Sequence, residues 1–464
     1  MDKVKKCRWF YWGLPVLGAL FCLWYLKNAT CDIIYSDYIR LVNSYLPDVY
    51  DPAKVFVPDI LTRIPITFLG RIINVELFGY SVTFDRVLGI LGLMLAGWVI
   101  GLYCMRKRIG PLWFALAMAV MFSLNKWEMM INGTGWCHFF AFACFYWHWM
   151  VLDRVVTGKG KPMDRVLLVL LPCLITLGTA GPYCAVYSAV LLFSYLWAFL
   201  LALRERGERR WEYAVYGIFT LIPVFLYAVS SSLSEEGITG IIPYYTIGEI
   251  LEFNPWFPVR FALNSFASVL VGGEELGKWL EEGTITQLQC CLIGAAVVAG
   301  YLWALWLNIR LRLYRKTLYP LMLLAAGFMN HILIFLSRYA FGREDYAMSS
   351  RYTLQFQVGI IGMILTMALA FQAERGILAA RRLLAAGLCL AILAGNGYTT
   401  YQELVIKAPY REERFEQMAQ GAFCYEDMGD KELAALYEYT KGRDAIENAF
   451  QILKDNHLNI FRDQ

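Results

Sequence analysis

Eleven apolar runs, each about as long as a helix needs to cross a bilayer, punctuate this chain, with Lys and Arg clusters at every second gap between them. The runs lie near residues 9–26, 87–105, 111–124, 136–152, 166–179, 183–203, 213–230, 289–309, 318–337, 353–372 and 383–397. The clusters are Lys3, Lys5, Lys6 and Arg8, then Arg106, Lys107 and Arg108, then Arg154, Lys159, Lys161 and Arg165. Arg204, Arg206, Arg209 and Arg210 follow, then Arg310, Arg312, Arg315 and Lys316, and finally Arg375, Arg381 and Arg382. In hydrocarbon a backbone must satisfy its own hydrogen bonds, which an apolar helix does. The pattern therefore predicts an all-α polytopic membrane protein with about eleven transmembrane helices. Because short basic loops stay cytoplasmic, the same alternation predicts a cytoplasmic N-terminus and an outer C-terminus.

Composition narrows the function classes. The chain is 58% hydrophobic and 17% charged, and its formal charge is only +4. No Lys/Arg cluster is interleaved with stacking aromatics, so a nucleic-acid partner is excluded. The N-terminal MDKVKKCRWFYWGLPVLGALFCLWYL resembles the basic and apolar parts of a signal peptide but lacks a small-x-small cleavage site, which predicts a retained first helix. Most of the twelve cysteines, such as Cys22, Cys104, Cys144, Cys173 and Cys389, sit inside apolar runs, where Cys acts as a small hydrophobe. Cys31, Cys137, Cys184 and Cys424 fall at or beyond the outer boundary, where a disulfide is open. No metal-ligand spacing is present and no cofactor is implied, with a divalent metal left open.

The polytopic domain spans 1–397, with large outer loops at 27–86 and 231–288. The second loop is acidic, carrying Glu235, Glu236, Glu249, Glu252, Glu274, Glu275, Glu281 and Glu282 against Arg260 and Lys278. The first mixes apolar residues at helical spacing with Pro47, Pro52, Pro58 and Pro65, which predicts short amphipathic helices along the membrane surface. Residues 398–464 form a polar, soluble outer tail in which DKELAALYEYT and RDAIENAFQILKDN have helical spacing. A helical cap packed on the outer loops is expected there.

Four outer stretches carry candidate chemistry. CDIIYSDYIR, residues 31–40, supplies Asp32 and Asp37, followed by Tyr38. A carboxylate at the lipid boundary is partly desolvated and suits a general base; the bland alternative is a solvated acid or a pair with Arg40. GREDYAMSSRY, residues 342–352, brings Arg343, Glu344, Asp345, Ser349, Ser350, Arg351 and Tyr352. Arginine binds phosphate in bidentate fashion, against the alternative that Arg343 and Arg351 pair with Glu344 and Asp345 or snorkel; Arg338 reads as a boundary snorkeler. NKWEMMINGTGWCHFF, residues 125–140, offers Glu128 and Trp136 for a sugar site, while His138 and His148 read as packing residues. GTAGPY, residues 178–183, marks a turn whose glycines allow close backbone approach.

A basic-flanked first helix, an acid-bearing first outer loop with surface helices, about eleven spans and a soluble outer C-terminal part together resemble the C-type (GT-C) superfamily of polytopic glycosyltransferases. The resemblance implies a sugar donor on a polyprenyl-phosphate lipid, a glycan or lipid acceptor, and a bacterial cytoplasmic membrane. It also implies a catalytic acid in the first outer loop, hence Asp37 or Asp32 as base, and cationic residues at the phosphate, hence Arg351 or Arg343. The first loop has neither an adjacent Asp-Glu pair nor Asp-x-Asp, and no WWDYG-type signature is present. Competing readings are a surface polysaccharide polymerase or ligase relying on outer arginines, a transporter, and a non-enzymatic assembly protein.

Overall fold

The computed structural model describes residues 8–55, 64–204, 210–232, 245–373 and 379–462. Lys3, Lys5, Lys6, Pro58, Arg206, Arg209, Glu235, Glu236 and Arg375 lie outside the described residues. Among those described there is no strand. The helices in chain order are α1 (Arg8–Ala29), α2 (Asp37–Tyr45), α3 (Ile66–Phe78), α4 (Val82–Lys107), α5 (Pro111–Met121), α6 (Trp127–Ile131) and α7 (Trp136–Val156). They continue with α8 (Pro162–Ile175), α9 (Cys184–Arg204), α10 (Arg210–Ser232), α11 (Ile247–Phe253), α12 (Phe257–Ala267), α13 (Gly273–Glu281) and α14 (Gln287–Arg310). The last six are α15 (Tyr319–Arg338), α16 (Thr353–Ala373), α17 (Ala379–Tyr401), α18 (Ala408–Gly421), α19 (Asp430–Leu436) and α20 (Arg443–Asp455).

Among the described residues nine helical stretches are long and apolar enough to cross a membrane. Each of the expected spans coincides with a helix. The two totals differ because α8 and α9 run on through a π-turn at Thr176–Ala180 into one 43-residue stretch, and because α7 is not among the nine. The chain is an all-α, multi-pass membrane protein. At its centre is α16, buried at every position from Thr353 to Ala370. It meets α15 where Gly359 faces Gly327 and the Tyr301 hydroxyl, so closely that a Cβ on Gly359 has no room.

Hydrogen bonds sort the loops onto two ends of the bundle. At one end the described members of the basic clusters gather. Lys107 Nζ reaches the Lys316 carbonyl at 3.2 Å, Gln372 donates to the Arg108 carbonyl at 2.8 Å, and Tyr11 donates to the Ile109 carbonyl at 2.5 Å. Arg310 and Arg381 both lie over the Trp306 ring, at 4.9 and 5.3 Å. Asp153, buried, joins three of these loops: its Oδ1 accepts from Thr317 Oγ1, Leu318 N and Tyr319 N, and its Oδ2 faces Lys107 Nζ at 3.1 Å.

The opposite end carries the first loop, the acidic loop and the tail. The tail docks on the first loop: Tyr437 O accepts from Ser36 N at 2.8 Å, Ala445 O from Asn43 Nδ2 at 2.8 Å, and Gly79 O from Asn459 N at 2.7 Å. The apolar face of α2, with Tyr38, Ile39 and Val42 buried, is therefore covered by protein, with α20 packed on the helix. Helix α3 has an uncovered apolar face. It exposes Leu69, Ile73 and Leu77, four residues apart, while Gly70 and Asn74 turn inward. Ile247, Leu251, Phe253, Trp256 and Val259 make a second exposed apolar patch at this end, as interfacial segments do.

Candidate functional site

Ser36 takes a left-handed backbone, φ 50°, and its N–H is tied to Tyr437 O. That bend starts α2 at Asp37, whose carboxylate benefits from the unsatisfied N–H groups of the first turn. The carboxylate is otherwise loosely held. Oδ1 lies 3.7 Å from Arg40 Nη2, Oδ2 accepts from Asn132 Nδ2 at 3.4 Å, and the side chain is 39% exposed. Asn132 ends α6, the short helix that also carries Glu128.

Glu128 is the opposite case. Its Oε1 accepts from Arg351 Nε at 2.5 Å, and its Oε2 from Ser350 Oγ at 3.0 Å and Ser349 Oγ at 3.4 Å. Ser350 begins the turn Ser350–Tyr352 that opens α16, and Ser349 caps that turn. Arg351 is thus anchored by one nitrogen. Nη1 and Nη2 make no hydrogen bond among the described residues, the side chain is 42% exposed, and it lies within electrostatic range of Asp37 and Tyr35. A carboxylate and an open guanidinium fork, 314 positions apart in sequence, share one surface. Burial pushes the Cys31 thiol up to about 11, and its Sγ donates to the Phe415 carbonyl.

Of the expected site residues, Asp37, Glu128 and Arg351 converge; the others are engaged elsewhere. Asp32 Oδ1 accepts from Val82 N at 2.7 Å and Thr83 N at 3.2 Å, so this acid caps α4. Asp32→Ala is expected to destabilise the fold by about 1 kcal/mol, as lost caps do, and chemical unfolding of the purified variant measures it. Tyr38 donates to Asp85 Oδ2 at 2.8 Å; burial and that carboxylate push its phenol well above its ordinary value, which fits a structural tie. Trp136 is buried beside Ile64 and Cys137, with its ring against Gly70. Its faces are used in packing. Arg343 is exposed and pairs with Asp345, which raises it further. Tyr352 turns away from Glu128 and accepts from Arg338 Nε at 2.8 Å.

Several residues of this region escaped the sequence reading. Arg86, in the first turns of α4, is buried and donates to Ile131 O, Thr30 Oγ1 and Cys31 O, bolting the first loop to the Asn132 turn. Arg411 stacks over Trp127 at 3.3 Å and bonds Glu403 through Nε at 2.6 Å and Nη2 at 3.1 Å. Glu403 also accepts from Tyr25 at 2.6 Å, and Lys407 pairs with Glu274 and Glu275. The four-residue spacing of Glu403, Lys407 and Arg411 was the available signal. Lys126, two positions before Glu128, turns the other way, donating to Met121 O and Ser123 O to cap α5.

Two cavities lie away from this surface. A cleft of about 740 Å³ is lined by Tyr410, Glu413, Gln417 and Glu432 of the tail. A groove of about 380 Å³ runs between α1, α5 and α17 past Leu14, Gly18, Phe21, Met118 and Ile392. Among the described residues no three His, Cys, Asp or Glu side chains are grouped to hold a metal, and the described cysteines are free thiols. No family model, curated protein or solved structure matches the chain.

Proposed function

We propose that this protein is a membrane-embedded glycosyltransferase that moves a sugar from a polyprenyl-phosphate lipid to a glycan or lipid acceptor at the tail-bearing face. What supports the reading is the juxtaposition of the loosely held Asp37 carboxylate with the open terminal nitrogens of Arg351, at the end of the bundle where helices expose apolar faces. In this mechanism the acceptor hydroxyl oxygen attacks the anomeric carbon and the bond to the lipid phosphate breaks. Asp37 takes the hydroxyl proton, and the phosphate departs as an anion onto Arg351. Glu128, with Ser349 and Ser350, fixes the guanidinium so that no ordering is needed as charge develops. The leaving group needs no acid, because a phosphate ester anion is already stabilised. The test is direct: purified protein, a lipid extract containing polyprenyl-phosphate sugars and a labelled acceptor should yield labelled glycoside, and no product with any donor pool would remove the proposal.

The proposed orientation puts the basic end in the cytoplasm and residues 398–462 outside, in a bacterial cytoplasmic membrane. A periplasm-active reporter fused after Asn396 is expected to be active, and one fused after Lys107 inactive. The reverse pattern would place the carboxylate–guanidinium surface on the cytoplasmic side.

A further inference from the structure

Three arginines line the segment that leads from α15 into α16, and their surroundings differ. Arg343 is spent on Asp345 and Arg351 is anchored on Glu128. Arg338, at the last turn of α15, has no carboxylate at ion-pair distance among the described residues. Its only hydrogen bond there runs from Nε to the Tyr352 hydroxyl, 2.8 Å away. Nη1 and Nη2 therefore present an unused pair of donors.

The surroundings suit an anion. Arg338 is half-buried, with the rings of Phe341 and Tyr352 at 5.8 and 5.9 Å limiting its hydration. Because the Tyr352 oxygen accepts from Nε, its own proton remains to be donated. Tyr183, from the turn before α9, lies within electrostatic range of Arg338 and Tyr352 and packs edge-on against His138 at 4.8 Å. On the same helix Phe328, Ile332 and Leu336 form an exposed apolar stripe, whereas Arg338 lies on the side of the buried His331 and Ile334. A planar fork with two open donors matches the oxygens of a phosphate.

We propose that Arg338, with the Tyr352 hydroxyl, forms an anion site that binds a phosphate group through donors other than those of Arg351. The site needs no transfer reaction and stands whether or not Asp37 is a base. Its ligand is a phosphate monoanion or dianion, carried on a lipid or free in solution.

The full chain carrying Arg351→Gln, which silences the other fork and serves as the parent here, would be purified in dodecyl maltoside and titrated with farnesyl phosphate, inorganic phosphate and farnesol, and binding measured by calorimetry. Arg338→Gln is expected to weaken farnesyl phosphate about tenfold or more, with Arg338→Lys in between, whereas Arg343→Gln stays within about twofold. Tyr352→Phe, which keeps the ring, should weaken it severalfold and serves if the Gln variant loses the parent's thermal transition. Arg338-dependent binding of farnesyl phosphate alone identifies a lipid headgroup; equal Arg338-dependent binding of inorganic phosphate identifies free phosphate. Parent-like farnesyl phosphate affinity in Arg338→Gln, or in Tyr352→Phe where only that variant folds, or farnesol binding as tightly as farnesyl phosphate, overturns the site.

Discussion

Asp37→Asn is expected to lower the rate of sugar transfer by about 10²- to 10⁴-fold, the usual contribution of a general base. Asparagine keeps the size of the side chain and one acceptor oxygen, so the weak contact from Asn132 survives and only the proton-accepting charge is lost. Thermal stability and lipid binding should match the parent. The contrast is Asp32→Asn, whose amide oxygen still accepts from Val82 N and Thr83 N. That variant should retain turnover within a few-fold. Turnover preserved in Asp37→Asn but abolished in Asp32→Asn would move the base to the helix cap. Preservation in both would remove the first loop from the chemistry.

The largest expected effect on stability is at the other end of the bundle. Asp153→Ala strips one buried carboxylate from Thr317, Leu318 N, Tyr319 N and Lys107 at once. Two backbone donors at the start of α15 and a lysine would lose their acceptor in a site with little water. Breaking a buried pair by removing one partner costs about 3–5 kcal/mol. Asp153→Asn, which keeps an acceptor oxygen but not the charge, should lose less. Denaturant titration in mild detergent orders the variants, and an alanine variant as stable as the parent would show that the latch contributes nothing net.

How much of this was legible in the sequence depends on the range of the interaction. The spans were, because the length of an apolar run is set by the bilayer and needs no knowledge of neighbours. Helix α3 was also legible, since Leu69, Ile73 and Leu77 repeat with helical period and face outward. Helix α2 carries an equally clear apolar face, but periodicity does not say whether lipid or protein covers it. The covering comes from α20, some 400 residues later. Asp32 and Asp37 were indistinguishable for the same reason, because the role of Asp32 is fixed by the start of α4 fifty residues on. The polar stretch 342–352 and the Glu128 turn were each visible. Their union was not, since Arg351 and Glu128 are 223 positions apart. Trp136 was read as a sugar-stacking ring because local sequence cannot reveal that Gly70 leaves room for it to be buried.

The most direct test of the active-surface reading is a density map of the protein in a lipid nanodisc with a polyprenyl-phosphate sugar bound. The account predicts phosphate density on Nη1 and Nη2 of Arg351, with the anomeric carbon facing the Asp37 carboxylate across a space the size of an acceptor hydroxyl. A donor phosphate held at the basic end, or a sugar that Asp37 does not face, would contradict it.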